Sequence, residues 1–180
     1  MNVFKTLGAA AAIAFTFGAG QAAAVSIVNV NDGATKLGTL TCPLGCLGFI
    51  GVGTLSPTEA LIFDASPPTE ANEVAQLNAL AGTNFTVADA SKEDNGNIPF
   101  TISTEYFVLK FGGGPGTQAF FKNLFGPQEM TYAAESGVGG GLSHKTSVGD
   151  PVNPVPLPAA GWMLLAGAGA LVAAGRRRKA

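Results

Sequence analysis

The middle of this chain alternates apolar and polar residues in short stretches, and this pattern predicts a mainly β domain. The first stretch, VSIVNVN, runs from Val25 to Asn31 and has the period of a half-buried strand. Further strands are predicted at Leu47 to Gly53, Thr58 to Ala65, Ile98 to Gly114, Thr117 to Phe125, Gln128 to Ser136 and Leu142 to Val148. Many short strands between turn signals are typical of a two-sheet β-sandwich or jelly-roll-like domain with one short helix.

The longest strand pattern is apolar on both faces. Alternation places Tyr106, Val108 and Lys110 on one face, and the other carries Phe107, Leu109 and Phe111. A glycine-rich turn follows, so this segment and Thr117 to Phe125 are expected to form a hairpin. Two polar stretches are predicted to lie outside strands: NDGATKLG as a turn and Asp89 to Asn97 as a loop.

One segment has helical periodicity, from Glu70 to Gly82. Thr69 is a suitable N-cap, and Gly82 is a suitable terminal residue. The apolar positions recur at helical spacing and predict a face that packs on a sheet: Val74, Leu77, Leu80 and Ala81.

The C-terminal end has the pattern of a membrane anchor. Ala159 to Gly175 is a run of 17 residues without a charge. As a helix it would be about 25 Å long, slightly less than a hydrocarbon core of about 30 Å. Trp162 lies at its outer end, and four cations close the chain, as the positive-inside rule places them for an outside body: Arg176, Arg177, Arg178 and Lys179.

The N-terminal end has the three parts of a secretory signal peptide. Lys5 is the cation, Leu7 to Gly18 is the apolar region, and Ala22 to Ala24 is a small-residue cleavage site. We therefore predict a signal peptide over 1–24, a secreted β-rich domain over 25–149, a proline-rich linker with a sorting motif over 150–158, and a transmembrane helix with a basic tail over 159–180.

The C-terminal sequence VPLPAAGWMLLAGAGALVAAGRRRKA resembles a PEP-CTERM sorting signal in its VPLPA form. It has a proline motif, an apolar helix and an arginine cluster, in that order. Leu157 stands where the founding pattern has glutamate. The residues that match the motif are Val155, Pro156, Leu157, Pro158 and Ala159. A looser resemblance to the body of such proteins covers Tyr106 to Lys110 and Leu142 to His144.

The resemblance implies sorting and leaves activity open. Proteins with this signal are held in the inner membrane of Gram-negative bacteria that make exopolysaccharide. They are processed by an exosortase, a membrane cysteine protease-transpeptidase, and reach the cell surface or extracellular matrix. The resemblance therefore implies two partners, the exosortase and the inner membrane, with extracellular polysaccharide as a further one.

The only two cysteines, Cys42 and Cys46, are expected to form a disulfide, because secretion would deliver them to an oxidising compartment. A metal site is the alternative, and it would need two further ligands, while the single histidine, His144, is distant in sequence. For the polar stretch from Asp89 to Asn97, a solvated loop is the expectation and a calcium site is the alternative, because the stretch matches an EF-hand poorly.

Charge excludes one class of partner. Without 1–24 and 159–180 the chain has five lysines, no arginine and twelve acidic residues, so its net charge is −7. Nucleic acid is a poor candidate, because its phosphates need clustered cations.

The sequence predicts no enzyme, cofactor or metal. His144 has no partner in a recognisable catalytic motif, and the G-x-S-x-G sequence is absent. The expected function is a structural or adhesive role at the cell surface, associated with exopolysaccharide. A carbohydrate-binding module is the alternative, and a polysaccharide hydrolase is a weaker one. The candidate sugar-binding aromatics are Tyr106, Phe120, Phe121 and Tyr132, for which core packing is the competing interpretation.

Overall fold

The computed structural model describes residues 24–94, 96, 98–112, 117–138 and 141–153. Four predicted features lie outside these residues: the signal peptide up to residue 23, the sorting motif Val155 to Ala159, the transmembrane helix and the basic tail Arg176 to Lys179. Within the described ranges, no helix has both the length and the hydrophobicity needed to cross a bilayer.

The described chain is mainly β, with one α-helix and one short 3-10 helix. The prediction of a β-rich domain with one helix is thus confirmed. The strands are β1 (Ser26–Asp32), β2 (Thr35–Cys42), β3 (Cys46–Gly51), β4 (Thr54–Ser56), β5 (Glu59–Phe63), β6 (Ala90–Glu93), β7 (Phe100–Ile102), β8 (Thr104–Phe111), β9 (Gln118–Asn123), β10 (Gln128–Ala134) and β11 (Leu142–Pro151). The helix α1 is Glu70–Ala81, and the 3-10 helix is Val87–Asp89.

The strands form one continuous sheet with the order β6-β11-β8-β9-β5-β1-β2-β10-β7, to which β3 and β4 are attached at β9. Among the strands that the structure describes, β1 and β5 are the only parallel pair. Nine strands laid flat would span about 38 Å between the outermost two. Yet β6 and β7 are consecutive in the chain, and Glu93 and Phe100 are seven residues apart, at most about 25 Å. The sheet therefore has to curl.

Contacts across the interior confirm the curl. The rings of Phe111 on β8 and Tyr132 on β10 have centroids 4.9 Å apart, although four strands lie between β8 and β10 in the sheet order. Lys145 on β11 lies 5.7 Å from the ring centroid of Phe100 on β7 and 2.7 Å from Glu93 on β6. Lys145 thus joins the two ends of the sheet.

The buried apolar residues form two clusters. The first lies inside the curled sheet and includes Val28, Leu40, Phe107, Phe121 and Met130. The second lies between the other face of β8, β9 and β11 and helix α1. The predicted alternation in β8 is confirmed, since Phe107, Leu109 and Phe111 belong to the first cluster and Tyr106 and Val108 to the second. Both faces of β8 are covered, which explains its nearly continuous apolar sequence.

Helix α1 begins and ends as its sequence predicts. Thr69 Oγ1 accepts a hydrogen bond from the backbone N–H of Asn72, and Gly82 ends the helix in the left-handed conformation with φ of 69°. Val74, Leu77 and Leu80 are buried. The apolar face packs on the sheet as expected.

The predictions for two polar segments were wrong, because both segments contain strands. The turn after β1 consists of Gly33 and Ala34 only, and β2 begins at Thr35. The segment from Asp89 to Asn97 is not a loop throughout, because residues 90–93 form β6 and pair with β11. In addition, the long pattern from Ile98 to Gly114 divides into β7 and β8, which pair with different neighbours.

Candidate functional site

The two ends of the described domain lie close together, at one end of the curled sheet. The carbonyl oxygen of Ala24 lies beside Gly45, 3.0 Å from where a Cβ would stand. The carbonyl oxygen of Gly45 accepts a hydrogen bond of 3.3 Å from the N–H of Leu124, and Gly126 N–H donates to the carbonyl oxygen of Asn153 at 3.2 Å. We call this region, formed by Ala24, Gly45, Leu124, Gly126 and Asn153, the exit end.

The predicted disulfide between Cys42 and Cys46 is confirmed and belongs to the exit end. Their Cα atoms are 5.8 Å apart, and both residues are fully buried. The loop between them turns at Gly45, which has φ of 97° and donates its N–H to the carbonyl oxygen of Cys42 at 3.1 Å. A side chain at position 45 would be strained in this conformation.

Two buried amides connect the disulfide loop to the rest of the exit end. Gln128 accepts a hydrogen bond from the N–H of Leu44 at 2.8 Å and donates to the carbonyl oxygen of Gly45 at 3.0 Å and to Asn123 Oδ1 at 2.6 Å. Asn123 in turn donates to the carbonyl oxygen of Thr104 at 3.1 Å. Neither amide was predicted from the sequence, because the strand patterns do not show which polar positions face inward.

A pocket of about 240 Å³ opens beside the last described residues. Its lining includes Glu105, Lys122, Leu124, Asp150 and Asn153. The Lys122 ammonium lies 3.1 Å from the Glu105 carboxylate and 5.4 Å from the ring centroid of Tyr106. Burial lowers the pKa of Lys122, but Glu105 and Tyr106 outweigh it, so the pKa lies above its ordinary value. Lys122 is therefore a charged, partnered cation.

β11 extends further along the chain than the sequence predicted, and the residues after it are hydrogen-bonded to the domain. The strand continues to Pro151, and the N–H of Val152 donates to the carbonyl oxygen of Ser103 at 2.7 Å. The first residues of the predicted linker 150–158 are therefore part of the folded domain. Only Pro154 separates the last described residue, Asn153, from the predicted motif that starts at Val155.

A second polar cluster lies between α1 and β11. Glu73 is completely buried, and its carboxylate accepts hydrogen bonds from His144 Nε2 at 2.7 Å and from Thr146 Oγ1 at 2.6 Å. Burial raises the pKa of the Glu73 carboxyl, but the two hydrogen bonds outweigh it and hold the pKa below its ordinary value. The carboxylate is therefore ionised at neutral pH, and the proton in the bond to His144 is carried by Nε2.

Lys110 is the neighbour of His144 across the β8–β11 pair. Its ammonium donates to the carbonyl oxygen of Phe111 at 2.9 Å and also contacts Thr117 Oγ1. Burial lowers the pKa of Lys110, and the charge of Glu73 opposes this only in part. The Glu73 carboxylate thus interacts with cationic and hydrogen-donating groups of the sheet, and it attaches α1 to β11.

Glu73 was missed as a buried residue, although its spacing contained a signal. Glu73, Leu77 and Leu80 are four and three residues apart, which places the carboxylate on the apolar face of α1. A buried carboxylate requires hydrogen-bond donors, and His144 and Thr146 are those donors.

The aromatic residues proposed for sugar binding do not form an exposed platform. Tyr106, Phe120, Phe121 and Tyr132 are all buried, so core packing is the correct interpretation for them. Phe121 stacks on Phe107 with ring centroids 4.9 Å apart, and Tyr106 contacts Phe49 and Phe85. In the ranges that the structure describes, no group of three or more His, Cys, Asp or Glu side chains is arranged to hold a metal ion.

Comparisons with family models, curated proteins and solved structures find no match to this chain.

Reduction of the disulfide is expected to lower the free energy of unfolding by about 2 kcal/mol. The effect is small because a closed loop of five residues restricts the unfolded chain only slightly. Guanidinium denaturation with and without a reductant measures the difference. A variant with Cys42→Ala and Cys46→Ala should be insensitive to the reductant. An unchanged midpoint for the native chain, with two free thiols titrated, would contradict the expectation.

Tyr132 is expected to make the domain sensitive to alkali. Its hydroxyl is buried without a hydrogen-bond partner in the described structure, and burial, with a smaller contribution from Glu135, raises its pKa to about 12. In the unfolded chain this hydroxyl loses its proton near pH 10, and in the folded domain it does so near pH 12. Its contribution to the free energy of unfolding is therefore fully present below about pH 10 and falls by about 2–3 kcal/mol as the pH rises to about 12. Tyr132→Phe should reduce this fall and leave stability at neutral pH unchanged or higher. Urea denaturation at several alkaline pH values tests both; equal pH profiles for the two proteins would refute the assignment.

Proposed function

We propose that this chain is an exported protein that is anchored by its C-terminal segment, processed by an exosortase within Val155 to Ala159, and delivered to the cell surface or extracellular matrix of a Gram-negative bacterium. The mature domain has a structural or adhesive role associated with exopolysaccharide. The proposal combines the sequence of the two chain ends with the structure of the domain between them.

The observation that carries the proposal is that Ala24 and Asn153 lie at the same end of the domain. Until the signal peptide is removed, the chain would be held at the membrane by both of its ends, and this is easiest when both connections lie on one side of the domain. The contacts through Gly45, Leu124 and Gly126 provide this arrangement. The Cys42–Cys46 disulfide agrees with an oxidising destination.

We further infer that the two halves of the curled sheet are the layers of a β-sandwich or jelly-roll-like domain. The inner cluster supports this, because it joins residues of β1, β2 and β10 to residues of β8 and β9. The contact between Phe111 and Tyr132 supports it as well.

Truncation after Pro158 tests the proposed anchor in cells that lack the exosortase. The full-length chain should remain in the membrane fraction and resist extraction by high salt. The truncated chain should be soluble in the periplasm, with the same protease resistance of the domain. Identical fractionation of the two chains would refute the anchor and with it the proposed route.

A carbohydrate-binding role is the second candidate, on a different surface from the one the sequence suggested. The outward face of β10, β2 and β1 carries Thr131, Thr41, Thr39 and Asn29, of which Thr131 and Thr41 are paired neighbours. These residues are exposed or half-buried. Hydroxyl and amide groups suit hydrogen bonding to sugar hydroxyls. Retention on the host's exopolysaccharide, lost in Thr39→Lys with Thr41→Lys, would favour this role; no retention of the native domain would exclude it.

A further inference from the structure

The structure sets an upper limit on the distance between the folded domain and the segment that is proposed to be cut. Val152 and Asn153 are hydrogen-bonded to Ser103 and Gly126. Val155 is two residues beyond Asn153, so it lies within about 7 Å of it, and Ala159 within about 20 Å, even if the chain is fully extended. An enzyme that encloses a peptide bond in this segment has to approach the exit end.

We propose that the exit end is a contact surface for the processing enzyme, and that the enzyme's matching surface is cationic. This inference rests on the proposed function. It adds that the domain takes part in recognition, besides the motif Val155 to Ala159. The residues that would make the contact surround the pocket beside Asn153: Glu105, Lys122 and Asp150.

The negative charge beside the exit end favours a cationic partner. Lys122 is paired with Glu105, so this pair contributes no net charge. Asp150 is exposed and forms no ion pair with any residue that the structure describes, which leaves one carboxylate uncompensated beside the exit. The whole segment 25–158 has a net charge of −7, and this adds to the local negative potential. Opposite charges at the rim of an interface increase the association rate.

The test measures the initial rate at which the tail is removed from the full-length chain in cells that contain the exosortase. Asp150→Lys should lower this rate about fivefold or more, because it places a cation where the partner has cations. Asp32→Lys is the matched control. Asp32 is an exposed carboxylate at the opposite end of β1 from the exit end, so its replacement should leave the rate unchanged. Equal denaturation midpoints exclude a folding defect in either variant.

A flexible spacer distinguishes a domain that contacts the enzyme from a domain that only obstructs the enzyme. Insertion of six Gly and Ser residues after Asn153 should lower the rate for the native domain and remove the difference between native and Asp150→Lys chains. Faster cleavage with the spacer would show that the domain only obstructs the enzyme, and equal rates for Asp150→Lys and Asp32→Lys would show that the charge is irrelevant; each overturns the inference. Cleavage of the native chain with either of these results would leave the proposed function standing. A native chain that is never cut would refute the proposed function itself.

Discussion

Glu73→Ala is expected to lower the free energy of unfolding by about 3–5 kcal/mol, the range for breaking one side of a buried pair. The carboxylate is fully buried and accepts hydrogen bonds from His144 and Thr146. Its removal leaves both donors buried without their acceptor, and it creates a cavity between α1 and β11. Urea denaturation followed by far-UV circular dichroism measures the loss.

Glu70→Ala is the matched control on the same helix. Glu70 lies in the first turn of α1, and its interaction with the helix dipole contributes less than about 1 kcal/mol. A loss below about 1 kcal/mol for Glu73→Ala would show that the bonds to His144 and Thr146 are not formed.

The same carboxylate gives a pH dependence with a defined sign. The pKa of Glu73 is lowered in the folded domain, so its contribution to stability is present above the ordinary carboxyl pKa of about 4.3 and is lost as the pH falls through the folded value. Glu73→Gln has no such titration. Its stability should therefore depend less on pH below about pH 4.3 than that of the native domain.

Gly48→Ala is expected to lower the free energy of unfolding by about 3 kcal/mol, the upper part of the range for overpacking. β9 pairs with β3 and with β5, which come together at Gly48. A Cβ there would lie 2.4 Å from Ala60 Cβ and 2.4 Å from the carbonyl oxygen of Glu59. Since one of these atoms belongs to the backbone of β5, two strands would have to separate.

Gly51→Ala is the control for this prediction, because it makes the same change on the same strand. The nearest atoms to a Cβ at Gly51 belong to Thr54 and are 3.8 and 3.9 Å away, which is ordinary contact. Thermal unfolding should therefore separate the two variants clearly. Equal melting temperatures would contradict the close approach of β3 and β5.

Local patterns in the sequence predicted local structure well. The helix from Glu70, its cap at Thr69 and its end at Gly82 follow from spacing and capping. The alternation in β8 was predicted for the same reason, because it depends on residues close together in the chain. The disulfide was predicted because the chain has only two cysteines and an oxidising compartment was expected.

Features that depend on distant residues were not predicted. β2 contains Gly38 and follows the signal Asn31-Asp32-Gly33, so it resembled a turn, yet it forms a strand because β1 and β10 pair with it on both sides. Glu73 and His144 are 71 residues apart in the chain, which explains why their pairing was missed. The exit end was missed for the same reason, because Gln128 is 83 residues from Gly45.

The most direct test of the proposed function is the intact mass of the protein from cells with and without the exosortase. The proposal predicts a mass that corresponds to a chain beginning near Val25 and ending near Pro158, with or without an added anchor, and only when the enzyme is present. A full-length C-terminal segment in both strains would contradict the proposed processing.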